Sequence, residues 1–214
     1  MHPGKNTKWI LLPALGIGLY VLLYIIATFL YPGGSDINRA AAGFSWQHNY
    51  WCELMADYAQ NGQVNTARPV AITAMFLLGI SLTLFWYFAS FLFRSRSPGR
   101  ILIRYAGILS MLTMVFLLFA EHDPVINTAG ALGMTALITV TIGLYKKRNY
   151  TLAAMGILCV LLSALNNYIY FTNELYYLPV IQKISFAVFL FWFIRVSFYL
   201  YRRQQESLLQ PTKP

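Results

Sequence analysis

Charge is what this chain has least of: Asp, Glu, Lys and Arg together make up 11% of its 214 residues, where a soluble domain of this length carries about 25%. So thin a polar cover cannot face water over a whole surface, and the expected solvent is lipid. Acidic residues are scarcer still, seven against sixteen Lys and Arg, for a net charge of +9. A basic surplus of that size could serve nucleic acid. Here the positive residues stand in short clusters between apolar runs, the placement that membrane topology imposes, and no nucleic-acid partner is expected. Cysteine is limited to Cys52 in a polar loop and Cys159 in an apolar run, which reads as two free thiols rather than a disulfide. Histidine is limited to three, one of them His2 at the N-terminus, and this excludes a three-His zinc site. There is no Gly-rich phosphate loop, metalloprotease helix motif or nucleophile elbow, so no metal or other cofactor is expected. No linker or low-complexity stretch divides residues 1–214, which read as one integral membrane domain.

What the chain has in abundance is apolar residues, 58% of the total. A hydrocarbon core about 30 Å thick takes roughly 20 apolar residues in helix, and six segments meet that length: 9–31, 69–93, 101–120, 124–145, 150–171 and 178–200. The expected fold is therefore all-α, a six-transmembrane-helix bundle. The first segment follows Lys5 and Lys8 as a signal peptide would, but its apolar run is too long and lacks a clean cleavage site. Only Glu121-His122-Asp123 separates the third segment from the fourth, a tight hairpin with Pro124 as first helical residue.

Orientation follows from the basic residues of the short loops. Thirteen of the sixteen fall at the N-terminus, in the second and fourth loops and at the C-terminal end; only Arg39, Arg68 and Lys183 fall on the other side. Both termini are expected in the cytoplasm, with the protein in the cell (inner) membrane. Six of the seven acids, Asp36, Glu53, Asp57, Glu121, Asp123 and Glu174, lie on the outer side and only Glu206 on the inner.

The single long loop, residues 32–68, carries most of the polar chemistry. Its turn signature Pro32-Gly33-Gly34-Ser35 ends the first helix. Read as a short interfacial helix, residues 44–60 place Asn49, Glu53 and Asp57 four apart on one face, among Trp46, Tyr50, Trp51 and Tyr58. Two carboxylates so spaced suit cation binding or acid/base work, because repulsion raises one pKa. The alternative is a helix whose polar face is simply wet. Polar residues also mark the outer helix ends: Asn65 and Arg68, Asn127 and Thr128, Asn166 and Asn167, Gln182 and Lys183. At membrane depth such groups face the protein interior and pair. Lys183 either snorkels to the interface or takes Glu53, Asp57 or Asp123 as its partner. The repeat of Asn-Thr-Ala at Asn65 and Asn127 hints that helix pairs 1–2 and 3–4 share one origin.

Tyr31-Pro32-Gly33-Gly34, Gly43-Phe44-Ser45, His48-Asn49-Tyr50, Glu53-Leu54, Asn61-Gly62 and Asn65 together resemble the start of the domain of unknown function 998 family of multi-spanning membrane proteins. Asp123-Pro124 with Asn127, and Pro179-Val180-Ile181-Gln182-Lys183-Ile184, resemble it too. That resemblance implies a six-helix bundle and no established activity; the chain departs from it in having Asn127 where a His is expected. A thinner likeness, Trp51-Cys52-Glu53 followed by Asn65-Thr66, is to alkaline ceramidases, membrane zinc amidases. Ala67 stands where they have Ser, and the last helix has no His, so the likeness implies that any zinc chemistry has been lost.

The expected function is to bind or handle a lipid or other amphipathic ligand in an outward-facing pocket lined by Glu53, Asp57, Arg68, His122, Asp123, Asn127 and Lys183, with membrane lipid as partner. The alternatives are a lipid hydrolase with Glu53 or Asp57 as base and His122 assisting, or a small transporter or assembly subunit with a membrane-protein partner.

Overall fold

The structure is a computed structural model that describes residues 7–115, 122–172 and 176–209, with the side chains of Val115, His122, Asp123, Leu208 and Leu209 outside that description. It is all-helical: α1 is Leu12–Leu30, α2 Arg68–Ala89, α3 Pro98–Val115, α4 His122–Lys146, α5 Tyr150–Phe171 and α6 Leu178–Leu209. Five of the six, all but α3, are long and apolar enough to cross a membrane over their described residues. Large apolar side chains stand exposed along them, Phe29 at 83% and Ile80 at 62% among them. A water-soluble protein leaves no such belt; this is a multi-pass membrane protein.

Threonine hydroxyls inside the helices are satisfied locally. Thr73, Thr83, Thr135, Thr139 and Thr141 each donate to the carbonyl four residues back, which lets a hydroxyl sit in lipid without an orphaned donor. The helix ends follow ordinary capping chemistry. Ser97 accepts from the Arg100 N–H at the start of α3, and Asn149 from the Leu152 N–H at the start of α5. At the end of α4 the Asn149 N–H reaches back to the Leu144 carbonyl, with Arg148 at φ 60° in the left-handed position that usually goes to glycine. Several boundaries differ from those expected, and two have a plain cause. Helix α4 opens at His122, two residues before Pro124, since the first turn has no use for the missing proline N–H. Helix α6 runs on to Leu209, because hydropathy marks where the lipid stops rather than where the helix does; Gln205 there donates to Thr7 and Tyr201.

The residues cluster into two compact units. One comprises 1–16, 79–160 and 191–214, and its core is aromatic. Phe85 and Trp86 of α2 pack with Trp192 and Phe193 of α6, ring centroids 4.7–6.2 Å apart. Trp192 donates its indole N–H to the Leu152 carbonyl of α5 at 2.9 Å. Glycines let the helices approach: Gly107 abuts the Trp86 side chain, Gly133 faces Ser110, and Gly156 faces Thr141. Ser110 ties α3 to α4 by donating to the Ala129 carbonyl at 2.7 Å. The other unit, 17–78 and 161–190, holds the 31–67 loop with the adjoining parts of α1, α2, α5 and α6.

That loop is not one helix from 44 to 60. The short helix it contains is a single run of 3-10 helix, Trp51–Met55; the rest is turns with two isolated antiparallel bridges, Gly33 to Ala42 and Tyr58 to Val64. The side chains that the helical reading placed on one face are used against the backbone instead. Asn49 accepts from the Ser45 N–H, Ser45 from the His48 N–H, and Glu53 from the Tyr50 N–H. Such local bonds compete with helix.

Candidate functional site

The spacing of Tyr20, Tyr24, Ala27 and Tyr31 places two phenols on one stripe of α1 and a third just past its end, and all four residues are buried. This stripe is the floor on which the loop folds. The Trp51 indole N–H donates to Tyr20 Oη at 2.8 Å, and Tyr24 donates to the Trp51 carbonyl at 3.1 Å. Tyr31 accepts the Gln60 N–H at 3.0 Å and donates to Glu53 Oε2 at 3.5 Å. Buried aromatic rings with a polar tip give a loop apolar contact and direction at once.

Asn49 is the hub. Its side chain has no exposed surface. The amide nitrogen donates to the Gly34 carbonyl at 2.8 Å and to Glu53 Oε2, and the amide oxygen accepts from Ser45 at 2.7 Å. Gly34 is required where it is: its φ is +86°, and a Cβ would run into the backbone of Gln60 and Asn61. Asn65 does the same work at the far end of the loop, donating to the carbonyls of Glu53, Leu54 and Ala56 and accepting from Ala67 just before α2.

Helix α6 reaches the hub from the other side. Lys183 Nζ donates to the Asn49 carbonyl at 2.5 Å and to the Pro179 carbonyl of its own helix at 3.0 Å, and it stands 5.6 Å from the Phe44 ring centroid. Gln182 accepts the Trp51 N–H at 3.4 Å. Lys183 therefore does not snorkel freely, and among the described residues it forms no ion pair; backbone carbonyls hold it, and Glu53 is joined to it through Asn49. Deeper in this unit, Asn166 of α5 donates to Ser185 of α6 at 2.6 Å.

Glu53 is half-buried. Loss of hydration pushes its carboxyl pKa above the ordinary range, with the Asp36 charge adding to the push, while the bonds from Asn49 and the Tyr50 N–H pull the other way. Burial likewise raises the Tyr31 phenol. Burial thus eases protonation of Glu53, while Tyr31 donates to its Oε2.

Asp57 is not beside Glu53. It is exposed and pairs with Arg68 at 3.2 Å, the one salt bridge among the described residues. Arg68 also donates through Nε to the Met55 carbonyl at 3.0 Å, a clamp between loop and α2. Asn127 is exposed on α4 and belongs to the other unit. Glu121 and Glu174, and the side chains of His122 and Asp123, lie outside the described residues. Of the seven expected site residues, Glu53 and Lys183 share one network, and Asp57 and Arg68 form a neighbouring pair through Met55. No three His, Cys, Asp or Glu side chains stand together among the described residues.

The residues missed by sequence reasoning are Tyr20, Tyr24 and Tyr31, together with Asn49 as hub rather than helix face. The tyrosine spacing was a legible signal, since phenols on an otherwise apolar stripe need partners. Comparison with protein-family models, with curated proteins and with solved structures gives no match.

Proposed function

We propose that this chain is a six-span protein of the inner membrane, termini in the cytoplasm, that binds an anionic amphipathic ligand such as a lipid at the outer ends of α1, α2 and α6. The ammonium of Lys183 carries the reading. It is half-buried, two of its three N–H groups rest on backbone carbonyls, and no carboxylate lies within ion-pair distance of it among the described residues. A half-buried cation with no carboxylate at ion-pair distance among the described residues suits an anionic ligand. The Phe44 ring beside it, with exposed Trp46 at the edge, supplies the apolar surface that the tail of such a ligand needs. Burial eases protonation of Glu53, which lessens the negative charge an anion would meet there. Arg68, drawn to the loop by Asp57 and Met55, offers the second basic group.

The test is native mass spectrometry of the full chain purified in mild detergent. A stoichiometric anionic lipid is expected, lost in Lys183→Ala and kept in Lys183→Arg. Unchanged lipid association when Glu53→Ala, Asp57→Ala and Lys183→Ala are combined overturns the proposal. Reporter fusions at both termini check the orientation.

A further inference from the structure

The connection from α2 to α3 gathers four arginines within eleven residues: Arg94, Arg96, Arg100 and Arg104. Positive charge beside a span is ordinary for topology, but topology asks only for charge, and two of these side chains are built in. Arg104 is half-buried. Its guanidinium carbon lies 4.6 Å from the Tyr87 ring centroid and 5.6 Å from that of Phe91, and Nη2 donates to Ser90 Oγ at 3.2 Å. Ser90 has no exposed surface, and its own hydroxyl donates to the Tyr87 carbonyl at 2.7 Å. Arg100 stacks on Phe91 from 4.5 Å. Both guanidinium groups are therefore held against aromatic rings, and a planar guanidinium is the group suited to bidentate phosphate contact.

Two further observations point to a ligand. Arg104 Nε is buried with no hydrogen-bond partner, although a buried guanidinium N–H ordinarily has one. No carboxylate lies within ion-pair distance of any of the four arginines among the described residues. The neighbouring α3 surface decides between a soluble anion and a lipid: Ile101, Leu102 and Tyr105 are exposed, as are Tyr87 and Phe91. Apolar side chains directly beside a cationic clamp fit acyl chains attached to a phosphate.

We propose that Arg100 and Arg104, held on Phe91, Tyr87 and Ser90, form a binding site for the phosphate headgroup of an anionic phospholipid in the leaflet on that side of the membrane. This site is separate from the one around Lys183 and is carried by different residues.

Full-length protein would be titrated with phosphatidylglycerol, phosphatidylcholine and inorganic phosphate, and bound lipid read by native mass spectrometry. All measurements are made in a Lys183→Ala background, so that the other proposed site contributes nothing. Phosphatidylglycerol is expected to bind at least about tenfold more tightly than phosphatidylcholine, and Arg100→Gln with Arg104→Gln to remove that preference. Removing two charges at Arg202→Gln with Arg203→Gln is expected to leave it within about twofold. If the two double variants behave alike, the retention is general electrostatics and the site is overturned. Inorganic phosphate binding as tightly as the lipid overturns the lipid assignment. Should the Gln double variant fail to fold, Arg100→Lys with Arg104→Lys keeps the charge but not the planar fork; it is expected to lose most of the preference, and full retention overturns the clamp.

Discussion

The two compact units hold themselves together by opposite chemistry. In the unit built on residues 79–160 with both terminal segments, the core is Phe85, Trp86, Ile103, Val140, Leu144 and Trp192, with glycines where helices press closest. In the unit that contains the loop, the fully buried residues include Tyr20, Tyr24 and Asn49, and directional hydrogen bonds fix the backbone. Helices already satisfy their own backbone, so packing apolar surfaces against one another suffices for them. A loop of turns has no ladder of its own, and every buried N–H and carbonyl must find a partner. That is why a region of nearly forty residues needs Asn49, Asn65 and three tyrosines, while the aromatic core needs almost none.

Three changes would break or sharpen this contrast. Asn49→Ala should be the largest. It removes the donor to Gly34 and Glu53 and the acceptor of the Ser45 N–H, a loss of about 3–5 kcal/mol with buried partners left unsatisfied. Hydrogen exchange in detergent should show the loop amides unprotected and those around Trp192 unchanged. Equal loss of protection in both units would mean that they unfold as one.

Gly107→Ala comes next and acts in the other unit. The new methyl meets the inner atoms of the Trp86 ring, which cannot swing aside as the end of a flexible chain would, at a cost of about 1–3 kcal/mol. Thermal unfolding in detergent should fall while the loop amides keep their protection. An unchanged transition would show that α3 shifts freely against α2.

The smallest effect is a pH dependence from Glu53. Its folded pKa is raised above the unfolded value, so its contribution is fully present below the ordinary carboxylate range and is lost as pH rises through the raised value. The loop should be more stable at mildly acidic pH than at neutral pH. Glu53→Gln should flatten that slope, even though its amide suits Asn49 less well than a carboxyl oxygen does. A wild-type slope identical to that of Glu53→Gln would assign the dependence to other groups.

The helices were legible because their signal is length and composition. Helix α5 is found at the expected residues, and α1, α2, α4 and α6 differ only at their ends, where capping and local side chains outrank hydropathy. The loop was legible only as polar and aromatic. Its four-residue spacing from Asn49 to Asp57 looked helical, but Asn49 and Glu53 bond to nearby backbone and to each other, and Asp57 turns out to Arg68. Periodicity reports which residues would share a face if a helix formed; it carries no information on whether side chains take the backbone's partners first.

By itself the sequence determined that the chain is helical, that lipid is its solvent, and roughly where each helix runs. Those properties follow from apolar content and segment length, which are additive along a chain. Only the tertiary structure decided that Lys183 rests on the carbonyl of Asn49, 134 residues away, that Glu53 and Asp57 have separate partners, and that two arginines stack on Tyr87 and Phe91. Each of these depends on the distance and direction between groups far apart in the chain. A hydrogen bond or a stacked cation needs both, and neither is written in the spacing of residues along a sequence.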